Sequence, residues 1–263
     1  MVSNMKEVAL EQAIQRHLTG MISEDLAGQP APVHSENSGL GPFRLGLPGD
    51  FDAQYALDTR LFWEFLETTQ GRELDKLRAR NPGDWQRKIL ERLDRMIKRH
   101  GLLHLLKKGL AVDDAHLVLL YPAPLASSAA RVHEGFAANI FSVTRQVPYS
   151  QVNAGEEIDM VIFVNGLPLI TIELKNPWTG QTARYHGQKQ YQTRDTTQPL
   201  LQFGRALVHM AVDTDEVFMA TKLAGPATFF LPFNKGHDEG EGNPPNPNGH
   251  KTAYLWQEVF TRE

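Results

Sequence analysis

Cysteine is absent from the 263-residue chain. Its absence excludes a disulfide framework, a cysteine-ligated zinc site and a thiol nucleophile. Long apolar runs are missing too. None approaches the roughly 20 residues that span a bilayer, and the N-terminal MVSNMKEVALEQ lacks the apolar core of a secretory signal. No G-x-x-x-x-G-K-[ST] occurs, so the chain has no Walker A site. No G-x-S-x-G elbow offers a serine nucleophile. A cationic excess is also lacking: the formal net charge is -4 and the pI about 6.2, the reverse of an autonomous, tight DNA binder. The expectation is a cytoplasmic protein with no membrane partner. Any contact it makes with phosphate must be local or be supplied by other domains.

What is present suits a globular protein. Hydrophobic residues make up 41% and charged residues 22%, enough for one large domain or two small ones. Residues 5–18 read as an amphipathic helix, with Val8, Ala9, Ile14 and Leu18 near helical spacing. Residues 19–52 read mostly as loop, rich in Gly, Pro, Ser and Asn. Asp58 is placed as the N-cap of one helix and Asp84 as the N-cap of another. These helices form an expected helical insertion over about 55–110. It carries a cationic stretch from Arg72 to Lys108, read first as a solvated surface and second as a docking face. HLVLLY (116–121) reads as a buried strand and 125–141 as a helix.

From Glu156 the pattern changes. EIDMVIFV and LPLITIELK are short apolar runs with β-branched members, joined by Asn165-Gly166, a strong reversal signal. Both faces are apolar, so the strands belong at the centre of a covered sheet. Residues 179–194 read as a polar helix. RALVHMAVD and EVFMATKL form a second strand pair, and 234–251 a long Gly/Pro/Asn loop. His237 and His250 in that loop read as solvent-facing. Residues 251–263 are expected to begin a linker, leaving 1–250 as the domain.

The chemical signal lies in the hairpin. Alternation puts Glu173 and Lys175 on one face. Paired residues in a hairpin share a constant sum, and 159 plus 173 is 332. A plain two-residue turn pairs Val164 with Leu167, a sum of 331, which sends Asp159 and Glu173 to opposite faces. An odd-length loop or a bulge at Gly166 is therefore expected. Two carboxylates on adjacent strands can hold Mg²⁺, which prefers oxygen donors and keeps several waters. The metal activates water and polarises a phosphate, and Lys175 stabilises charge on the transition state. The Leu174 carbonyl is a further candidate metal ligand. The competing structural reading, an Asp159–Lys175 ion pair at the sheet's end, leaves Glu173 unexplained.

Asp159…Glu173-Leu174-Lys175 on a hairpin resembles the PD-(D/E)xK nucleases. The fuller run IDMVIFVNGLPLITIELKNPWTGQ resembles the nuclease domain of the restriction subunit of type I restriction-modification enzymes. VTRQ (143–146), residues 202–225 and LPFNKG…GNPPNPNG resemble it as well. The resemblance implies a mixed central sheet flanked by helices, an α/β (α+β) restriction-endonuclease-like fold with a helical N-terminal elaboration. It implies Mg²⁺-dependent cleavage of double-stranded DNA. It also implies modification and specificity subunits as partners, and ATP used only by a motor beyond residue 263. By resemblance, an acidic residue on an early helix stands near the metal: Glu11 fits best, then Glu7. Such nucleases carry Gln-x-x-x-Tyr on the helix after the lysine strand. Gln181 and Tyr185 have that spacing but sit at the helix start. Gln188 is therefore preferred at the cut, with Gln190, Tyr191 and Arg184 toward DNA. Two alternatives stay open: a non-catalytic coupling or DNA-binding module of the same subunit, and another PD-(D/E)xK nuclease.

Overall fold

The structure, a computed structural model, describes residues 2–26 and 41–262, with side chains over 8–25 and 41–262. Residues 27–40 of the loop expected over 19–52, and the Glu7 side chain, lie outside the described residues. In chain order the elements are α1 (Val2–Thr19), β1 (Arg44–Leu45), β2 (Phe51–Asp52), β3 (Leu57–Asp58), α2 (Thr59–Arg80), α3 (Trp85–His100) and α4 (Leu102–Lys108). Then follow β4 (Leu110–Val112), β5 (Ala115–Leu117), α5 (Ala130–Ala137), β6 (Phe141–Pro148), β7 (Glu157–Val164) and β8 (Leu167–Leu174). A π-helical turn at Ala183–Gly187 leads into α6 (Gln188–Thr193), followed by β9 (Val208–Val212), β10 (Val217–Ala220) and β11 (Leu231–Pro232).

Seven strands form one mixed sheet in the order β1-β6-β7-β8-β9-β10-β11. The β8–β9 and β1–β6 pairs are parallel and the others antiparallel. The mixed sheet with flanking helices is the expected class. One face packs Val143, Met160, Ile172 and Leu174 against Leu10, Ile14 and Leu18 of α1. The other packs Val161, Phe163 and Ala211 against Ala183 and Tyr191. Burial on both faces explains why β7 and β8 read as continuous apolar runs.

The helices α2 to α4 cluster around Val164 and Leu167, the turn end of the central hairpin. Gly166 permits that docking. Its φ is 77°, and a Cβ there would lie 2.4 Å from the Asp58 carbonyl and 2.7 Å from the Phe62 nitrogen. Several cations of the basic stretch are held by neighbouring acids: Arg78 by Glu67 and Asp75, Arg80 by Asp114, Arg87 by Asp84 and Glu91, and Lys88 by Asp113.

Several expectations need correction. The strand at 116–121 is shorter, ending at Leu117, and belongs to a separate two-stranded hairpin. The helix at 125–141 shrinks to α5, which buries no side chain. Its expected last residue instead opens β6, a central strand missed because Ser142, Thr144 and Arg145 interrupt the apolar pattern although all are buried. Residues 251–263 do not simply lead away: Ala253, Tyr254, Leu255, Trp256 and Phe260 are buried in the same core as α1. Asp84 precedes α3 but makes no side-chain cap bond; its carboxylate pairs with Arg87 at 2.7 Å.

Asp58 does cap α2, accepting from the Leu61 N–H at 2.9 Å. Its other oxygen is buried without a hydrogen-bond partner, and burial pushes the carboxyl up to about 7 from 3.8. Between those values the folded chain holds a proton that the unfolded chain releases. Stability therefore falls as pH rises through that window. Asparagine caps as well and does not ionise. The Asp58→Asn variant is expected to be more stable than the parent at pH 8, by at most about 4 kcal/mol, and so to melt higher. The advantage should shrink toward pH 4; a pH-independent difference in Tm rejects this account.

Candidate active site

The β7–β8 register decides whether the acids meet. Val164 does pair with Leu167 across a two-residue Asn165-Gly166 turn. The register then shifts between Ile162 and Phe163, so that Ile162 pairs with Ile170, and Met160 with Ile172. Leu169 is the extra residue, and the sum becomes 332. The bulge is therefore present, but it sits at Leu169 rather than at Gly166. A bulge inside the strand corrects the face while leaving the tight turn free to meet α2.

Beyond the Met160–Ile172 pair no further β7–β8 pairing occurs. There the Asp159 carboxylate replaces backbone, accepting from the Leu174 N–H at 2.7 Å. On β6, Gln146 adopts a left-handed backbone with φ 52°. It stands at the position opposite Asp159, between the Arg145–Met160 and Val147–Ile158 pairs. The ladder thus opens on both sides of Asp159, and the side chain reaches into the fork.

Glu173 is fully buried and Lys175 nearly so. The Lys175 ammonium donates to the Leu174 carbonyl at 2.8 Å and lies 3.8 Å from Asp159 Oδ2. Gly187 of the π-turn passes close to this lysine: a Cβ there would lie 3.5 Å from Lys175 Cγ and 2.9 Å from Ala211 Cβ. Glu173 has Arg194, just after α6, in ion contact at 2.5 Å. Neither Glu173 oxygen has an aligned hydrogen-bond donor. Burial first, and the Asp159 carboxylate second, push the Glu173 carboxyl well above the usual range; Arg194 and Lys175 oppose that rise. A buried acid with two unsatisfied oxygens is costly unless a cation compensates it.

Asp159, Glu173, Leu174 and Lys175 are thus brought together; the other expected residues are placed differently. Glu11 is buried on α1 and pairs with Arg145 at 2.7 Å, on the sheet face that carries Met160 and Leu174. Tyr191 is fully buried, its hydroxyl 2.8 Å from Thr171 Oγ1, which in turn lies 2.7 Å from His209 Nδ1. A side chain so enclosed cannot touch DNA, so that expectation is corrected: Tyr191 packs α6 onto the sheet. Burial lowers His209 to about 4, which keeps it neutral in this network. Arg184 is held by Glu216 at 2.6 Å and Glu241 at 3.1 Å. Gln188 and Gln190 are half-buried on α6, and Tyr185 is exposed. The expected single helix over 179–194 is a π-turn followed by α6, a change of helical phase that blurs the Gln/Tyr spacing. Among the described residues no group of three or more His, Asp and Glu gathers around one metal position; His237 instead lies 3.1 Å from Asp238.

Sequence reading missed Arg194, Arg145 and Asp213. Asp213 anchors the π-turn beside Lys175 by accepting from the Ala183 N–H at 2.7 Å. No local motif marks these residues, since their roles arise from contacts across 21, 134 and 30 positions.

A mixed sheet whose central hairpin gathers two acids and a lysine at an opened fork defines a class of α/β domains built around an acidic, lysine-bearing centre. The family model described as Type I restriction enzyme R protein N terminus matches residues 63–228, more than half the chain and all of the fork. The chain belongs to this family. No curated protein matched. Among the described residues, no helix is long and apolar enough to cross a membrane.

Proposed function

We propose that this domain is the Mg²⁺-dependent endonuclease module of a type I restriction enzyme's R subunit, and that it cleaves double-stranded DNA. The observation that carries the reading is the fork itself: Glu173, fully buried and met by Arg194 at 2.5 Å, shares its field with Asp159 and Lys175. The donor set suits a hard divalent cation, which needs only one or two carboxylates beside its waters. Asp159, Glu173 and the Leu174 carbonyl would hold it, and the carbonyl's present partner is an ammonium group, a cation in the same place. When bound, the metal supplies Lewis acidity toward the phosphate and a more acidic water.

The chain's own residues do the rest. Asp159, and Glu173 once it has released its proton, offer negative charge where a cation is wanted. Lys175 orients the attacking water and stabilises charge on the phosphoryl oxygens. Arg194 keeps Glu173 compensated until the site is loaded. Glu11, through Arg145, secures α1 against the sheet beside the fork, and Gln188 and Gln190 lie on the helix nearest the lysine's turn. Double-stranded DNA is the substrate. The modification and specificity subunits supply targeting, and ATP serves motor domains outside this module. Such division of labour agrees with the acidic net charge.

The test is nicking or cutting of a supercoiled plasmid by the R subunit reconstituted with its partners and ATP, over a range of Mg²⁺ and pH. Cutting should require Mg²⁺. Because Glu173 must release a proton to bind the cation, the Mg²⁺ needed for half-maximal cutting should fall as pH rises above the ordinary carboxylate range. Cutting that persists in chelator rejects the metal-dependent reading.

A further inference from the structure

The helix α3 divides its surface into three lengthwise strips. At about 100° per residue, Ile89, Leu93 and Ile97 form the buried one. Arg87, Glu91, Asp94 and Lys98 form the second, within about 60° of one another. This strip neutralises itself: Arg87 meets Glu91 at 2.7 Å and Lys98 meets Asp94 at 2.8 Å. Arg92, Arg95 and Arg99 form the third, also within about 60°. Among the described residues none of these three has a carboxylate partner. Arg95 and Arg99 are exposed, and Arg92 is half-buried.

The β4–β5 hairpin carries the third strip onward. Arg92 Nε donates to the Ala111 carbonyl at 3.2 Å. Ala111 pairs with His116 across the hairpin, and His116 Nε2 lies 2.9 Å from the Lys108 carbonyl. Lys108, exposed at the end of α4, is therefore one residue pair away from Arg92. Toward the hairpin's tip the charge is already met, Lys88 by Asp113 and Arg80 by Asp114.

A charged helix face is usually a solvated surface and no more. Two features set this one apart. Like charges three and four residues apart destabilise a helix, so the strip carries a repulsion that a polyanion relieves. Arg99, in the last turn, also suits the helix dipole; Arg92 and Arg95 lie before that turn. The second feature is spacing. From Arg92 to Arg99 the helix rises about 10 Å. Each strand of a DNA duplex carries a phosphate every 3.4 Å or so, about three over that length, and three arginines face them. The forked guanidinium also matches phosphate oxygens two at a time.

We propose that the Arg92–Arg95–Arg99 strip, extended by Lys108, is a docking surface for the backbone of duplex DNA. Its preference for DNA over an acidic protein rests in part on the nuclease reading. The helices α2 to α4 cap the turn end of the central hairpin, and Asp159 lies about 17 Å back along β7 from that turn. The strip thus grips DNA away from the fork and touches no reacting atom. Phosphate contacts of this kind position a duplex without reading its sequence, and they supply locally the attraction that a net charge of -4 denies the chain as a whole.

Binding is read in chelator, so cutting plays no part in it. The anisotropy of two labelled duplexes of unrelated sequence is followed over about 50 to 200 mM salt. Arg95→Gln with Arg99→Gln should weaken both duplexes alike and lower the slope of log K against log[salt] by about 2, one for each phosphate contact. Lysine at both positions should keep the slope, since the charge is kept. Arg87→Gln with Lys98→Gln removes the same charge from the neutralised strip and should leave the slope nearly unchanged. Equal losses in the two glutamine pairs overturn the surface, as does a parent that binds neither duplex at the lowest salt. Poly-glutamate that displaces the label as well as unlabelled duplex does, charge for charge, overturns DNA as the occupant in favour of an acidic protein. If the reconstituted complex cuts while Arg95→Gln with Arg99→Gln binds as the parent does, the surface fails and the nuclease reading stands. If that pair loses the salt slope while the parent complex never cuts, the nuclease reading fails and the surface stands.

Discussion

The Lys175→Ala and Asp159→Ala variants should each lose plasmid cutting by about 10²–10³-fold or more, with ATP hydrolysis by the reconstituted subunit preserved. The two act differently. Lys175 brings an ammonium within 4 Å of Asp159, so its removal takes charge stabilisation from the reacting phosphate. Asp159 also holds the Leu174 N–H at 2.7 Å. Its removal opens the fork further and takes away a metal ligand. Asp159→Asn retains an acceptor for that N–H while losing the charge, and so should keep the parent's Tm yet cut no better than Asp159→Ala. The coupling-module alternative makes the opposite forecast, variants that cut as well as the parent.

Much of this centre was legible in the chain. Alternation along LPLITIELK put Glu173 and Lys175 on one face, and constant-sum pairing showed that a plain hairpin would separate Asp159 from Glu173. The need for a bulge followed from that arithmetic; its position did not. Gly166 looked like the natural site because a bulge tolerates glycine there. It is instead reserved for the close approach of α2, a contact between residues far apart in sequence. The same blindness to distance hid β6: buried Arg145 looks like a loop residue until its partners Glu11 on α1 and Glu24 in the next segment are known. The family resemblance, through its Gln-x-x-x-Tyr motif, turns Tyr191 toward DNA. Only the sheet beneath α6, with Thr171 and His209, shows why this one turns in.

Replacing Arg194 with methionine should destabilise the domain by about 3–5 kcal/mol, the usual result of stripping one partner from a buried ion pair. Glu173 would remain enclosed with Asp159 near it and a principal compensating charge gone. The guanidinium's bond to the Glu157 carbonyl at 2.6 Å and its stacking over Tyr149 at 5.0 Å would also go. The loss should depend on pH. Glu173 is already raised well above 4.5 in the folded chain, and removing Arg194 raises it further. The folded form then holds a proton that the unfolded form releases above about 4.5, so stability drops as pH climbs from there through the folded value. Urea titrations of Arg194→Met at pH 5 and pH 8 should therefore show the larger deficit at pH 8. Adding Glu173→Gln removes the ionisable group and should recover much of the pH 8 deficit, leaving the part due to Glu157 and Tyr149. Mg²⁺ offers an independent check, because a cation bound at the carboxylates compensates the charge that Arg194 otherwise balances. It should raise the Tm of Arg194→Met more than that of the parent, and leave the Glu173→Gln double variant nearly unmoved. Equal shifts in all three would mean that Arg194 and the metal do not share Glu173.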